Sequence, residues 1–204
     1  LNPTIPKSFR DSLFLPFQDF SQRLGGRGVW LVLAFLFFYK LGDNMAVALA
    51  TPFYIDLGFS LTEIGIIAKN AALWPSIVGG LLGGVLMIKI GINRALWLFG
   101  FVQIITIFGF AILAEVGNNA WVLATVIAME YLGVGLGTAA ITAFMARATN
   151  PVYAATQLAL LTALATVPRT FSSALSGVLV ESMGWTTFYL LCAALAVPGM
   201  LLLF

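Results

Sequence analysis

Six apolar stretches, each about 20 residues or longer and separated by short polar or glycine-marked breaks, constrain this chain more than any other feature. A stretch of that length spans a hydrocarbon core, where every backbone N–H and C=O must find its partner within the protein, so each stretch is expected to be helical. The pattern predicts helices over 28–55, 60–88, 93–114, 119–146, 152–181 and 186–204, numbered one to six, after a polar segment over 1–27. Apolar residues make up 61% of the chain and charged residues 9%, against the quarter or so that is charged in soluble domains. The expected fold class is therefore an all-α membrane protein with six transmembrane helices.

The breaks carry their own chemistry. Ser60-Leu-Thr-Glu63 has the form of a capping box, in which the serine and the glutamate satisfy free donors at a helix start, with Gly58 turning the chain just before it. Gly91, Gly117-Asn118-Asn119, Asn150-Pro151 and Gly184-Trp185 mark the other turns.

Charges outside the stretches are segregated. Lys7, Arg10, Arg23 and Arg27 precede helix one, Lys89 and Arg94 flank the second connection, and Arg147 precedes the fourth. Asp56, Glu63, Glu115 and Glu181 flank the remaining connections. Basic residues are retained on the cytoplasmic side, so both ends of the segment are expected there, in a multi-pass protein of a cytoplasmic membrane. The leader, with Pro3, Pro6, Lys7, Arg10 and Asp11, lacks the apolar core of a signal peptide. Residues 8–24 mix phenylalanines with charges, as an interfacial segment or a flexible linker does, and Pro16 is expected to break any single helix there.

Several functions are excluded early. The formal charge is only +2 and its bases are scattered, which argues against nucleic acid as a partner. There is no histidine and a single cysteine, Cys192, so zinc sets, thiolate–imidazole pairs and Ser-His-Asp triads are absent. No metal, no cofactor and no enzymatic activity are expected.

Five charges lie well inside the predicted spans: Lys40, Asp43, Lys69, Glu130 and Arg169. Each costs roughly 2.5–3.5 kcal/mol at a helix centre on insertion scales, so such residues face protein or water and mark a functional path. They fall on helices one, two, four and five, leaving helices three and six free to face lipid, with Gln103 the most polar side chain of helix three. Lys40 and Asp43, at i,i+3, form either a self-neutralising pair or a proton-titrating site at Asp43. Glu130, without a basic neighbour on its own helix, is either the proton carrier or a structural salt-bridge partner of Lys69 or Arg169. Arg169 offers a bidentate fork and Lys69 a point charge, so an anionic solute in a cavity shared with Lys40 is expected. Pro168, beside Arg169, is either an ordinary bend or a gating hinge. Gly79-Gly80, Gly83-Gly84, Gly133, Gly135 and Gly137 permit close helix approach, for tight packing or for sliding.

The second connection, Gly84-Val-Leu86-Met-Ile88-Lys89-Ile-Gly91-Ile-Asn-Arg94, loosely resembles the G-x-L-x-D-R-x-G-R-R signature of the major facilitator superfamily, with Ile88 replacing its aspartate and only Arg94 remaining of its basic pair. Lys40-Leu-Gly-Asp43, Asn93-Arg-Ala-Leu-Trp-Leu-Phe-Gly100, Ala155-Thr-Gln-Leu-Ala-Leu-Leu161 and Gly184-Trp-Thr-Thr-Phe-Tyr189 together resemble the AmpG-type muropeptide permeases of that superfamily, with the acetyl-CoA transporters as a related branch. The resemblance implies the C-terminal six-helix half of a twelve-helix fold, made of two inverted three-helix repeats and preceded by the central cytoplasmic loop. It implies proton-driven import of anhydro-muropeptides for cell-wall recycling, with protons, a glycopeptide solute, the bilayer and the missing N-terminal half as partners. Lys89, Gly91 and Arg94 would then belong to a gate. Gln157 is assigned to the inner gate as well, because it stands 12 positions from Arg169, about 18 Å along a helix, too far for one small ligand to touch both. The alternatives are a transporter of acetyl-CoA or another anionic solute, and a non-transporting membrane sensor.

Overall fold

The computed structural model describes residues 9–203. Lys7, the Arg10 side chain and Phe204 therefore lie outside the described residues. Among those described there is no strand; the helices are α1 (Phe9–Ala48), α2 (Ala50–Asp56), α3 (Leu61–Ile90), α4 (Ile92–Val116), α5 (Ala120–Ala148) and α6 (Ala154–Leu201), with a 3-10 turn over Pro151–Tyr153.

Helix starts follow the local chemistry of the sequence. Ser60 and Glu63 form the complete capping box at α3, the Glu63 N–H donating to Ser60 Oγ at 3.2 Å and the Ser60 N–H to Glu63 Oε2 at 2.9 Å. Asn119 caps α5 through its side-chain oxygen, which accepts from the N–H groups of Trp121 and Val122. Asn118 Nδ2 donates to the Gly58 carbonyl at 2.8 Å, binding two connections to each other.

The observed elements differ from the expected ones at three places. Pro16 does not break the segment ahead of the first span: α1 runs through it and is interrupted instead at Gly25 (φ 68°, ψ 162°). The first predicted helix is itself divided at Leu49 into α1 and α2. Among the described residues five helices are long and apolar enough to cross a membrane, with predicted helices five and six running as one element, α6, interrupted only at Gly184 (φ 76°, ψ 168°). At both breaks the positive φ is open to glycine and strained for other residues, so one residue changes direction without a loop.

Two apolar clusters fix the two ends of the bundle. One gathers Met45, Phe53, Ile64, Phe110, Leu123 and Tyr189; the other gathers Phe35, Leu96, Leu136, Met145 and Leu161. From Gly25, α1 runs from the second cluster to the first, α3 returns, and α4 and α5 repeat the circuit. Helix α6 leaves the second cluster at Leu161, reaches the first at Phe188, and comes back to the second at Leu202. It doubles back at Gly184. That turn is pinned by Trp185 Nε1–H donating to Asp56 Oδ2 at 3.0 Å and Thr186 Oγ1–H donating to Glu115 Oε1 at 2.7 Å. The Tyr189 ring packs there on Phe53 and Phe110 with centroids 4.9 and 5.1 Å away.

The most extensive pairings are α1 with α6 and α3 with α5. The second depends on glycine: a Cβ on Gly79 would strike the Leu132 carbonyl, and one on Gly135 would strike the Ser76 carbonyl. Gly80 and Gly84 face open space instead, so only one glycine of each pair contributes to close approach. Helix α4 buries one face and exposes a stripe of Leu98, Phe101, Ile105, Phe108 and Ile112, spaced by three and four as one helix face requires.

Candidate functional site

On α1, Lys40 Nζ donates to Asp43 Oδ2 at 2.9 Å, and both side chains are buried. The i,i+3 spacing places them on one helix face, so the pair assembles without a second element. It satisfies only half of the carboxylate, since Asp43 Oδ1 is buried without a hydrogen-bond partner. Glu130, on α5, is 0% exposed; neither of its carboxylate oxygens makes a hydrogen bond of good geometry, and the Thr106 hydroxyl and the Asp43 carboxylate are its polar neighbours. Asp43 and Lys40 are both within its electrostatic reach. Its neighbour Thr106 has committed its hydroxyl proton to the Gln103 carbonyl at 3.0 Å. Two carboxylates thus share one ammonium in an apolar interior. A buried charge without a partner is strongly unfavourable, and like charges sharing a site disfavour double ionisation.

The expected salt bridge from Glu130 to Lys69 or Arg169 does not form. Lys69 is exposed on α3 and makes no ion pair among the described residues. Arg169 is exposed on α6, at a cavity of about 320 Å³ lined also by Asp43, Asn44, Val47, Ala48, Tyr131 and Val134. Arg169 and the Tyr131 hydroxyl are within electrostatic reach of each other. Of the five intramembrane charges, the structure brings Lys40, Asp43 and Glu130 into one buried group and sets Arg169 at its open side. It leaves Lys69 apart. Helix α6 stays helical through the buried Pro168, whose carbonyl accepts from Ser172 Oγ at 2.5 Å.

Gln103 overturns one expectation. It is 3% exposed and turned into the protein rather than toward lipid. Its amide lies against α5, where a Cβ on Gly137 would come within 2.7 Å of both amide atoms. Asn44 and Tyr131 are the polar wall residues of the cavity that the charge pattern did not single out. Asn44 and Tyr131 directly follow Asp43 and Glu130, and that adjacency was the available signal.

The remaining gate candidates sit at the opposite end of the bundle from Trp185. Gln157 accepts from the Asn150 N–H at 2.7 Å and from Arg23 Nη2 at 3.3 Å, and it donates to the Pro16 carbonyl and Asp19 Oδ2, each at 2.9 Å. Arg23 also bonds Asp19 Oδ2 at 3.0 Å and the Ala148 carbonyl at 3.0 Å, while Asn150 Nδ2 donates to Asp19 Oδ1 at 2.9 Å. This network fastens the limb of α1 ahead of Gly25 to the junction of α5 and α6. Gly91 turns α3 into α4 with φ 81°, between the exposed Lys89 and Arg94. Arg147 Nη1 reaches Asn93 Oδ1 at 3.4 Å nearby. The basic residues gather at this end, as the charge pattern requires.

No protein-family model matches the chain. Among curated proteins it is 50% identical over 203 residues to an uncharacterized protein of Haemophilus influenzae, covering 96% of this chain and 48% of that one. It is 38% identical over 200 residues to the anhydromuropeptide permease of Escherichia coli K12, covering 98% of this chain and 40% of that one. It is 36% identical over 196 residues to the putative transporter AmpG 4 of Rickettsia conorii, covering 96% and 47%. The chain thus spans less than half the length of these relatives.

Proposed function

From the premise that this integral multi-pass membrane chain is homologous to the AmpG-type permeases, we propose that it is the C-terminal half of a major facilitator secondary transporter importing anhydro-muropeptides with protons. Counting the two limbs of α6 as separate crossings gives six spans. The pairings of α3 with α5 and of α1 with α6 are those expected of two inverted three-helix units. The basic end of the bundle is assigned to the cytoplasm and the membrane to the bacterial inner membrane, with an N-terminal six-helix half supplying the other wall of the pathway.

The observation that carries the mechanism is the position of Asp43, buried beside Lys40 and Glu130 yet lining the 320 Å³ cavity with Arg169. A carboxylate there is able to exchange a proton with the cavity while its charge balance responds to what the cavity holds. Asp43 and Glu130 are assigned to the coupling proton. Arg169, with Lys40 behind Asp43, attracts the acidic groups of a glycopeptide, and Lys69 faces the pathway completed by the missing half. Gln157, Gly91, Lys89 and Arg94 form the cytoplasmic gate, and Pro168 bends α6 beside Arg169. Proton-driven uptake of anhydro-muropeptide by the complete transporter tests this assignment. Asp43→Asn and Glu130→Gln variants that both accumulate solute normally would remove the proton roles. Arg169→Ala with unaltered solute affinity would remove the anion site. The cationic cavity also suits another anionic solute, such as acetyl-CoA; failure of excess muropeptide to compete for counterflow would favour that reading.

A further inference from the structure

Asp43 on α1 and Glu130 on α5 bring two buried carboxylates into side-chain contact. Asp43 Oδ1 and both oxygens of Glu130 are closed to solvent, and none of them accepts a hydrogen bond of good geometry. The remaining oxygen, Asp43 Oδ2, takes the Lys40 ammonium at 2.9 Å. Thr106 is the other polar neighbour of Glu130, and its hydroxyl proton goes to the Gln103 carbonyl at 3.0 Å. Ionised carboxylates only accept, so two of them in contact satisfy nothing for each other. Buried acceptors are nearly always satisfied. A single proton placed between the two acids makes one the donor and the other its acceptor.

We propose that Asp43 and Glu130 form one proton-binding site, an acid–carboxylate pair that holds a single shared proton, rather than two sites that titrate separately. Counting charge across the cluster leads to the same occupancy. Lys40 contributes one positive charge, and the pair with one proton contributes one negative charge, so the buried group is neutral as a whole. Removing that proton or adding a second leaves a net charge, which is costly in an apolar interior. Like charges in contact also disfavour the doubly ionised pair. The proton then belongs to the pair and not to either residue. The oxygens left unfilled are too few for a divalent metal ion, which takes about six.

The other titratable groups around the pair leave this count unaltered. Tyr39 on α1 is within electrostatic reach of Asp43, and Tyr54 on α2, Tyr131 on α5, and Tyr189 and Cys192 on the last limb of α6 are within reach of Glu130. Phenols and thiols are uncharged at neutral pH. Helix α4 brings the uncharged Thr106, and Lys69 of α3 is exposed. Arg169, on the first limb of α6, stands at the open cavity that Asp43 also lines. An anion seated against Arg169 adds negative charge beside the pair and favours its proton-loaded state, and by linkage the loaded pair favours the anion. Proton and anionic solute therefore bind cooperatively, which is the sign that transport of both in one direction requires.

The cooperativity rests on the proton and anion roles proposed above; the shared proton does not. Infrared difference spectroscopy of the complete transporter, titrated in pH, tests the site. The parent is expected to show a carboxylic-acid band that is missing from the Asp43→Asn/Glu130→Gln double variant. Each single variant leaves one carboxylate against one ammonium, so the band is expected to vanish in both singles as well. A band that survives in either single variant overturns the shared site in favour of separate ones. A parent without an acid band at the pH of transport overturns it whether or not the variants fold. Anhydro-muropeptide is expected to bind the parent about tenfold more weakly once pH has removed the band. Affinity that ignores the loss of the band, or a band that persists at every pH, overturns the cooperativity. Proton-driven accumulation preserved in both single variants overturns the coupling assignment while leaving the shared proton standing.

Discussion

Lys40 and Asp43 stand one helical turn apart on α1 and meet at 2.9 Å with both side chains buried, yet the pair leaves Asp43 Oδ1 unpartnered and Glu130 uncompensated nearby.

Breaking that pair from one side is therefore expected to be severe. Lys40→Met leaves two carboxylates without a cation, a change that costs about 3–5 kcal/mol when a buried pair loses one partner. The Lys40→Met/Asp43→Asn double variant removes both charges and is expected to recover most of the loss. Thermal unfolding of the detergent-solubilised complete transporter measures both, and a double variant no more stable than Lys40→Met would show that the two residues act separately.

Glu130→Gln separates stability from function. Neither oxygen of Glu130 makes a hydrogen bond of good geometry, and the amide that replaces the acid is able to turn its N–H groups toward the neighbouring Asp43 carboxylate. The midpoint of unfolding is expected to stay within about 0.5 kcal/mol of the parent or to rise, while accumulation driven by a proton gradient is lost and solute counterflow survives. A fall of several degrees in the midpoint would mean that Glu130 has a structural partner.

Gln157 makes four hydrogen bonds, three of which tie the limb of α1 ahead of Gly25 to the start of α6 and one of which holds the Asn150 N–H. Gln157→Ala strands the Asn150 N–H and weakens the hold on Asp19, a loss of about 1–3 kcal/mol confined to that contact. Faster hydrogen exchange over 14–24 is expected, with protection in α4 and α5 unchanged. Unaltered exchange over 14–24 would show that apolar contacts such as Phe20 hold the limb by themselves.

The turns were legible in the sequence because their chemistry is local: the Ser60–Glu63 box, the Asn119 cap and the glycines at 91, 117 and 184 each act on the next few residues. Lys40 and Asp43 were legible for the same reason. The orientation of α4 was not. Its residues are apolar nearly all the way round, and in lipid an apolar side chain is as well placed outside as inside, so nothing local says that Gln103 turns inward. The sequence signal of Pro16 also misled, since a missing N–H does not end a helix when neighbouring groups hold the limb, as Gln157 does at the Pro16 carbonyl.

The adjacent glycines of α3 offer an internal control for the packing argument. A Cβ at Gly79 would run into the Leu132 carbonyl, whereas one at Gly80 meets nothing within 4 Å. Gly79→Ala is expected to force α3 and α5 apart at a cost of about 1–3 kcal/mol, and Gly80→Ala is expected to be neutral or mildly stabilising through its higher helix propensity. Thermal unfolding of the complete transporter reads both. If the missing half seats itself on α3 across Gly80, the order changes: Gly80→Ala would then lower the midpoint as well. Equal destabilisation by the two substitutions would locate the partner half on that face, and equal tolerance of both would show that α3 and α5 are not in backbone contact.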